Sequence, residues 1–111
     1  MSDYLGKKKL VRIYIDTEDK YDSKPLYEEI LLRAKKCRMK GATVFKGIAG
    51  IGGHSEIHSF ELLSLSQNLP VVIEMIDDEP KLREFLEVIS SLITDGMCVM
   101  MDIDVLLYKH K

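Results

Sequence analysis

The sequence predicts an α+β fold: a four-stranded antiparallel sheet with two helices on one face, in the order β-α-β-β-α-β. Three observations carry this prediction. Residues 9–16, "KLVRIYID", alternate with period two, as a half-buried strand does. Two later segments, 26–37 and 82–93, repeat apolar residues at helical spacing, and each follows a strand pattern. A long glycine-rich and polar connection separates the two halves.

In the first strand, Val11, Ile13 and Ile15 share one side and Leu10, Arg12 and Tyr14 the other. Residues 1–7 read as a loose N-terminal arm. "TEDKYDSKP" is polar and breaks the strand, with Ser23 placed as an N-cap and Pro25 in an early helical position. Leu26, Ile30, Leu31, Ala34 and Cys37 form the apolar stripe of the first helix. Glu28 and Glu29 lead and Arg33, Lys35 and Lys36 trail, which suits the helix dipole, and Gly41 ends it. "ATVFKGIAGI" is the second strand, weakened by glycine toward its end. The loop after it runs to about Asn68, with a helical turn in "FELLSLS". "LPVVIEMI", almost continuously apolar, is an interior strand. "DDEP" opens the second helix, with Asp77 or Asp78 as cap and Pro80 in its first turn. Leu82, Phe85, Leu86, Ile89 and Ile93 face the core. "TDG" breaks this helix, and "MCVMMDIDVLLY" is the fourth strand, with Asp102 and Asp104 opposite Met101 and Ile103. The order is the split-βαβ, ferredoxin-like pattern, and right-handed crossovers put both helices on the same sheet face.

The 111 residues are read as a single domain, 1–111. A net charge of −2 argues against a protein that lives on nucleic acid, because phosphate binding needs a basic footprint. Cys37 and Cys98 each sit in an apolar pattern and read as small buried hydrophobes, with no CxxC and no disulfide framework. No stretch has the length or apolarity of a signal peptide or membrane span, so the expectation is a cytoplasmic protein without membrane insertion.

The sheet face away from the helices is expected to carry Leu10, Arg12 and Tyr14, then Val72, Glu74 and Ile76, and from the fourth strand Cys98, Met100, Asp102 and Asp104. A face with this apolar content marks an interface, so a homo-oligomer packed through it is expected, with Arg12 paired to Glu74 or Asp102.

The chemistry concentrates in "GIAGIGGHSEIHS", residues 47–59. Gly47, Gly50, Gly52 and Gly53 permit positive φ, and successive free amides in such a turn make a concave anion site. This spacing is neither a Rossmann fingerprint nor a P-loop; a bulged strand end leading to a hairpin tip fits it equally well. Lys46 and Lys40 add point charge for a phosphate. His54 and His58 stand four apart with Glu56 between them, so a helical segment would let them share a metal, though no third ligand is evident. Polar loop histidines touching phosphate fit better. Ser55 and Ser59 lack a strained elbow, and no catalytic residues emerge; the expectation is a protein that is not an enzyme.

The stretches "GATVFKGIAGIGGHSEIH" and "LLSLSQNLPVVIEMIDDE" resemble a PII-like family of uncharacterised bacterial and archaeal proteins within the nitrogen regulatory PII superfamily. The similarity runs from about Lys9 to Tyr108, and the glycine stretch and "SLS-x-x-LP" are its most specific parts. The resemblance implies a ferredoxin-like subunit, a homotrimer, and an adenine nucleotide bound in clefts between subunits. By motif match, Thr43 would face the adenine end, and Gly50, Ile51 and Gly52 would line the loop base. Asp95-Gly96 would oppose them across the cleft. Met97 stands where PII proteins carry a phosphate-binding lysine, so AMP or ADP is expected rather than ATP. Loop 52–64 would meet a protein target. The alternative is a protein similar to the CutA family, binding divalent metal through His54 and His58.

Overall fold

The structure, a computed structural model, describes residues 4–51 and 68–110. Strand β1 spans Gly6–Asp16, and a short ribbon of β2 (Lys20–Tyr21) and β3 (Lys24–Pro25) leads into helix α1 (Leu26–Lys36). Strand β4 is Gly41–Lys46 and β5 is Pro70–Asp77. Helix α2 (Glu79–Ile89) ends in a 3-10 turn, Ser90–Leu92, before β6 (Met97–Val105). The main sheet has the order β4-β5-β1-β6 with every neighbouring pair antiparallel. This is the expected ferredoxin-like arrangement.

The alternation in β1 decides the layers. Val11, Ile13 and Ile15 point into the core beside Val71, Ile73 and Met75 of β5. Leu26, Ile30 and Ala34 of α1 and Leu82, Phe85 and Ile89 of α2 close over them. Each fully buried aliphatic side chain contributes about 1.5–3 kcal/mol of transfer free energy, so this single layer supplies most of the drive to fold.

Several local expectations are corrected. Ser23 does not cap α1: Asp22 and Ser23 have φ of 53° and 72° and form the tight turn of the β2–β3 ribbon, and Pro25 takes the N-cap position. A turn with two left-handed residues matches the twist of a two-residue hairpin. The first free amide of α1 is met by backbone instead, Leu26 N–H donating to Asp19 O at 2.8 Å. Gly41 does not end α1 but opens β4. The stop is a Schellman pair, Met39 N–H to Ala34 O and Arg38 N–H to Lys35 O, with Arg38 at φ 60°.

The arm is loose in neither of its last parts. β1 begins at Gly6, and Tyr4 is buried, with its hydroxyl donating to Ile76 O and its ring packed on Tyr108. Lys8 and Lys40 ammonium groups lie over the same ring, 4.9 and 5.2 Å from its centre. Both cysteines are exposed rather than buried, Cys37 just past α1 and Cys98 on the edge strand β6.

Asp77, only 2% exposed, joins three elements. Its carboxylate accepts from Lys40 N–H ahead of β4 and from Asp78 N–H at the start of α2, and Lys81 Nζ lies 3.4 Å away. Asp78 is the N-cap residue of α2, with Pro80 in the first turn as expected, but its side chain makes no capping bond.

Two outcomes follow. Arg38→Gly removes the left-handed penalty of about 1–2 kcal/mol while loosening the unfolded chain, so a urea titration is expected to show a net gain of roughly 0.5–1 kcal/mol. An unchanged midpoint would show that Arg38 is not strained. Burial first, then the charges of Asp77 and Asp78 and the neighbouring Tyr108, hold the Tyr4 phenol well above its ordinary value of 10.0. Unfolded chains release this proton near pH 10 and folded ones do not, so the stability it contributes is complete below that pH and falls as pH rises above it. Tyr4→Phe is expected to flatten that alkaline decline in a stability–pH series.

Candidate functional site

β4 ends at Lys46, paired with Val71, and the chain then turns into the glycine stretch. Gly47 donates its N–H to Pro70 O at 2.7 Å, continuing the β4–β5 ladder by one rung. That amide is therefore committed, a correction to the expectation of an open row of free amides. The expected positive φ is also not used: among the described residues, Gly6 is the one glycine in the left-handed region. Glycine is required for a different reason. A Cβ on Gly47 would lie 2.7 Å from Pro70 Cγ, and one on Gly50 would lie 3.0 Å from the same atom. Two glycines three apart lay their backbone against one proline ring, with no room for a side chain at 47 and only a tight fit at 50. Ile48 and Ile51, 85% and 84% exposed, project from this turn into solvent.

The ring is fixed from the other side. Thr17 N–H donates to Leu69 O at 2.9 Å, and Leu69 N–H donates to Thr17 Oγ1 at 3.0 Å, tying the Leu69-Pro70 pair to the end of β1. Pro70 has no N–H to lose as the first residue of β5, a position a strand tolerates. Thr17 and Pro70 were not singled out from sequence as site residues; the signal was a G-x-x-G turn at one end of the long connection and Leu-Pro at the other.

Asp95-Gly96 precedes β6, on the far edge of the sheet. A Cβ on Gly96 would lie 2.5 Å from Tyr14 O and 3.2 Å from Ile15 Cγ2, so the backbone there is pressed against β1. The glycine stretch and Asp95-Gly96 thus share one end of the sheet, where β1 ends and β5 and β6 begin. They lie on opposite edges, β4 and β6, three inter-strand spacings or about 14 Å apart. One chain does not bring them together. Lys46 stands at the glycine end, exposed. Lys40 does not: it precedes β4, bonds to Asp77 and covers Tyr4 at the other end, roughly 20 Å away along the strand. Gly52, Gly53, His54 and His58 lie outside the described residues, as does the 52–64 target loop. Among the described residues, no group of three or more His, Cys, Asp or Glu is arranged to hold a metal ion, and no helix is long and apolar enough to cross a membrane.

The open sheet face differs from expectation in its β6 part. The register pairs Val11 with Met100 and Ile13 with Cys98, so Cys98, Met100, Asp102 and Asp104 lie on the helix side. Met97, Val99, Met101 and Ile103 take the open face instead, beside Leu10, Arg12 and Tyr14. The two acids are tolerated on the helix side because they stand at the exposed end of β6, where Asp102 ion-pairs with Lys9 and Lys9 also lies 3.5 Å from Glu79. Lys9 holds the Asp102 carboxyl below its usual range, chiefly through that hydrogen bond. Cys98 is exposed as a residue, but partial burial of its thiol pushes it above its ordinary value.

At the centre of the open face Arg12 Nε donates to Glu74 Oε2 at 2.9 Å, the first of the two partners expected. The hydrogen bond to Glu74, then one to Tyr14, raises the Arg12 guanidinium further above its ordinary value. Thr43 stands opposite Glu74 on the same face, and Phe45, half exposed, opposite Val72. A row of Thr43, Glu74, Arg12 and Val99 therefore crosses the whole sheet, flanked by apolar side chains.

Adding a methyl at Gly96 is expected to cost about 1–3 kcal/mol, because Tyr14 O and the β1 backbone leave no room for it. Thermal unfolding of Gly96→Ala checks this, and a wild-type midpoint would show that the turn has slack.

The sequence profile of the family described as DUF190, Uncharacterized ACR, COG1993, matches residues 8–105. A UPF0166 protein of Aquifex aeolicus (strain VF5) is 42% identical over 100 residues, covering 90% of this chain and 94% of that protein. Among solved structures, CPII of Thiomonas intermedia K12, bound to ADP and bicarbonate, is similar with a TM-score of 0.65 and 21% identity, covering 91% of this chain and 90% of that one. The same protein bound to ADP, AMP and bicarbonate, described as a nitrogen regulatory PII-like protein, gives a TM-score of 0.66 at 18% identity, covering 95% and 99%.

Proposed function

The chain belongs to the DUF190 family and is alike in fold to PII-like CPII, and on that premise we propose that it is a PII-like regulatory protein that binds an adenine nucleotide between subunits of a homotrimer. Thr43, Lys46, Gly47, Gly50 and Ile51 of one chain form one wall, with Gly52, Gly53 and His54 continuing it. Asp95 and Gly96 of the neighbour form the other. Lys40 is not part of it, because it sits at the opposite end of β4.

One observation carries this reading. The two halves of the site lie at the same end of the sheet but on opposite edges, about 14 Å apart, so a pocket containing both requires a second chain. The open face, with Met97 and Phe45 exposed and an ion pair at its centre, has the composition of a surface covered by such a chain. CPII, alike in fold, is bound to ADP in one structure and to ADP and AMP in another.

The role of each group follows from its chemistry. Lys46 supplies a point charge to a phosphate. Ile48 and Ile51 offer apolar surface next to backbone N–H groups, the combination a nucleotide needs. With Met97 where a second phosphate lysine would stand, AMP and ADP are the preferred ligands over ATP. Binding would order loop 52–64 and so change its contact with a protein target, with ligand contacts offsetting the entropy of ordering.

Calorimetric titration of the purified protein with ADP and AMP is expected to show binding at micromolar to millimolar Kd, and light scattering a mass three times that of the chain. Lys46→Ala is expected to weaken ADP binding about tenfold, the loss of one charge-assisted contact. No heat with any adenine nucleotide, or a monomer in solution, would defeat the proposal.

A further inference from the structure

We infer that Pro70 is the positioning residue of the glycine wall: its ring, locked to the end of β1 through Thr17, is the template on which Gly47 and Gly50 are laid. This rests on the reading that the glycine stretch receives the ligand.

The glycines at 47 and 50 are not there for their dihedral freedom, since neither is in the left-handed region. They are there because a Cβ at either would lie within 3.0 Å of Pro70 Cγ. One face of the turn is thus occupied by the proline ring, and on that reading the ligand meets the other. The Gly47 N–H bond to Pro70 O and the two bonds between Thr17 and Leu69 hold both sides of the contact to the sheet. A turn pressed against a rigid ring needs little further ordering when a ligand arrives, which raises affinity without any contact between Pro70 and the ligand. The same contact joins the two ends of the long connection, residue 47 to residue 70, whatever lies between. It also explains why Leu-Pro accompanies the glycine stretch in this chain.

The coupling has a signature that a merely structural role lacks. Pro70→Ala removes Cγ, leaving the nearest described neighbours of a Cβ at residue 47 at 3.4 and 3.5 Å, ordinary contact distances. Gly47→Ala alone must push the turn off the ring; Gly47→Ala combined with Pro70→Ala need not. ADP titration of the three variants is therefore expected to give a loss of about tenfold or more in affinity for Gly47→Ala, a smaller loss for Pro70→Ala, and recovery in the double variant to within about threefold of Pro70→Ala. Equal affinities throughout, or losses that add in the double variant, would overturn the inference. Amide exchange at residue 47 in the ligand-free protein gives a readout independent of nucleotide. Protection is expected in the native chain, lost in Gly47→Ala and regained in the double variant, and fast exchange in the native chain would overturn the inference. Should the native chain bind no adenine nucleotide while exchange shows this pattern, the functional reading falls and the template stands.

Discussion

Everything in this fold hangs on β1, one of the two interior strands, hydrogen-bonded on one side to β5 and on the other to β6. Val11, Ile13 and Ile15 give the two helices a common surface, and they do so on one side only. Two helices of 11 residues cover a single face of a four-stranded sheet. The other face, with Leu10, Tyr14, Val72 and Ile76 around the Arg12–Glu74 pair, is covered by neither helix. The buried layer and the open face are two results of one strand alternating with period two.

The ends of the sheet are finished in different ways. At one end charge does the work: Asp77, buried, gathers Lys40 N–H, Asp78 N–H and Lys81, while Lys8 meets Asp78 and Lys9 bridges Asp102 and Glu79. A buried carboxylate is stable when both its oxygens accept from donors and a cation stands beside it; removing it would strand those donors. At the other end close packing does the work, through glycine: Gly47 and Gly50 against Pro70, and Gly96 against Tyr14 O. The charged end is tied together by its own ion pairs. The glycine end presents backbone and the exposed Ile48 and Ile51, and it is the end where a ligand is proposed to sit.

Much of this was legible in the chain. The alternation of "KLVRIYID", the two helical stripes and the Pro80 signal all yielded elements of the right type, and the β-α-β-β-α-β order followed from them. The short β2–β3 ribbon did not, because Ser23 before Pro25 carries a helix-cap signal as strong as its turn signal, and only the two left-handed residues in space decide between them. The stop of α1 was misplaced for a similar reason: Gly41 advertises a C-terminus, but Arg38 takes the left-handed position two residues past Lys36, the last helical residue. The phase of β6 failed because "MCVMMDIDV" is apolar at both alternate sets of positions near its start, and its acids suggested the wet face. Those acids stand on the helix side, at the end of the strand, where Lys9 is within reach.

What the sequence determined by itself is local: which segments are strands, which are helices, and which side of β1 is buried, because period and composition act between residues that are neighbours along the chain. What the tertiary structure decided is pairing. Register assigned β6 its faces, packing against Pro70 and Tyr14 assigned the glycines their purpose, and strand order put the two walls of the candidate site on opposite edges. Those depend on contacts between residues far apart in the chain, where several arrangements satisfy the same pattern and only close packing selects one.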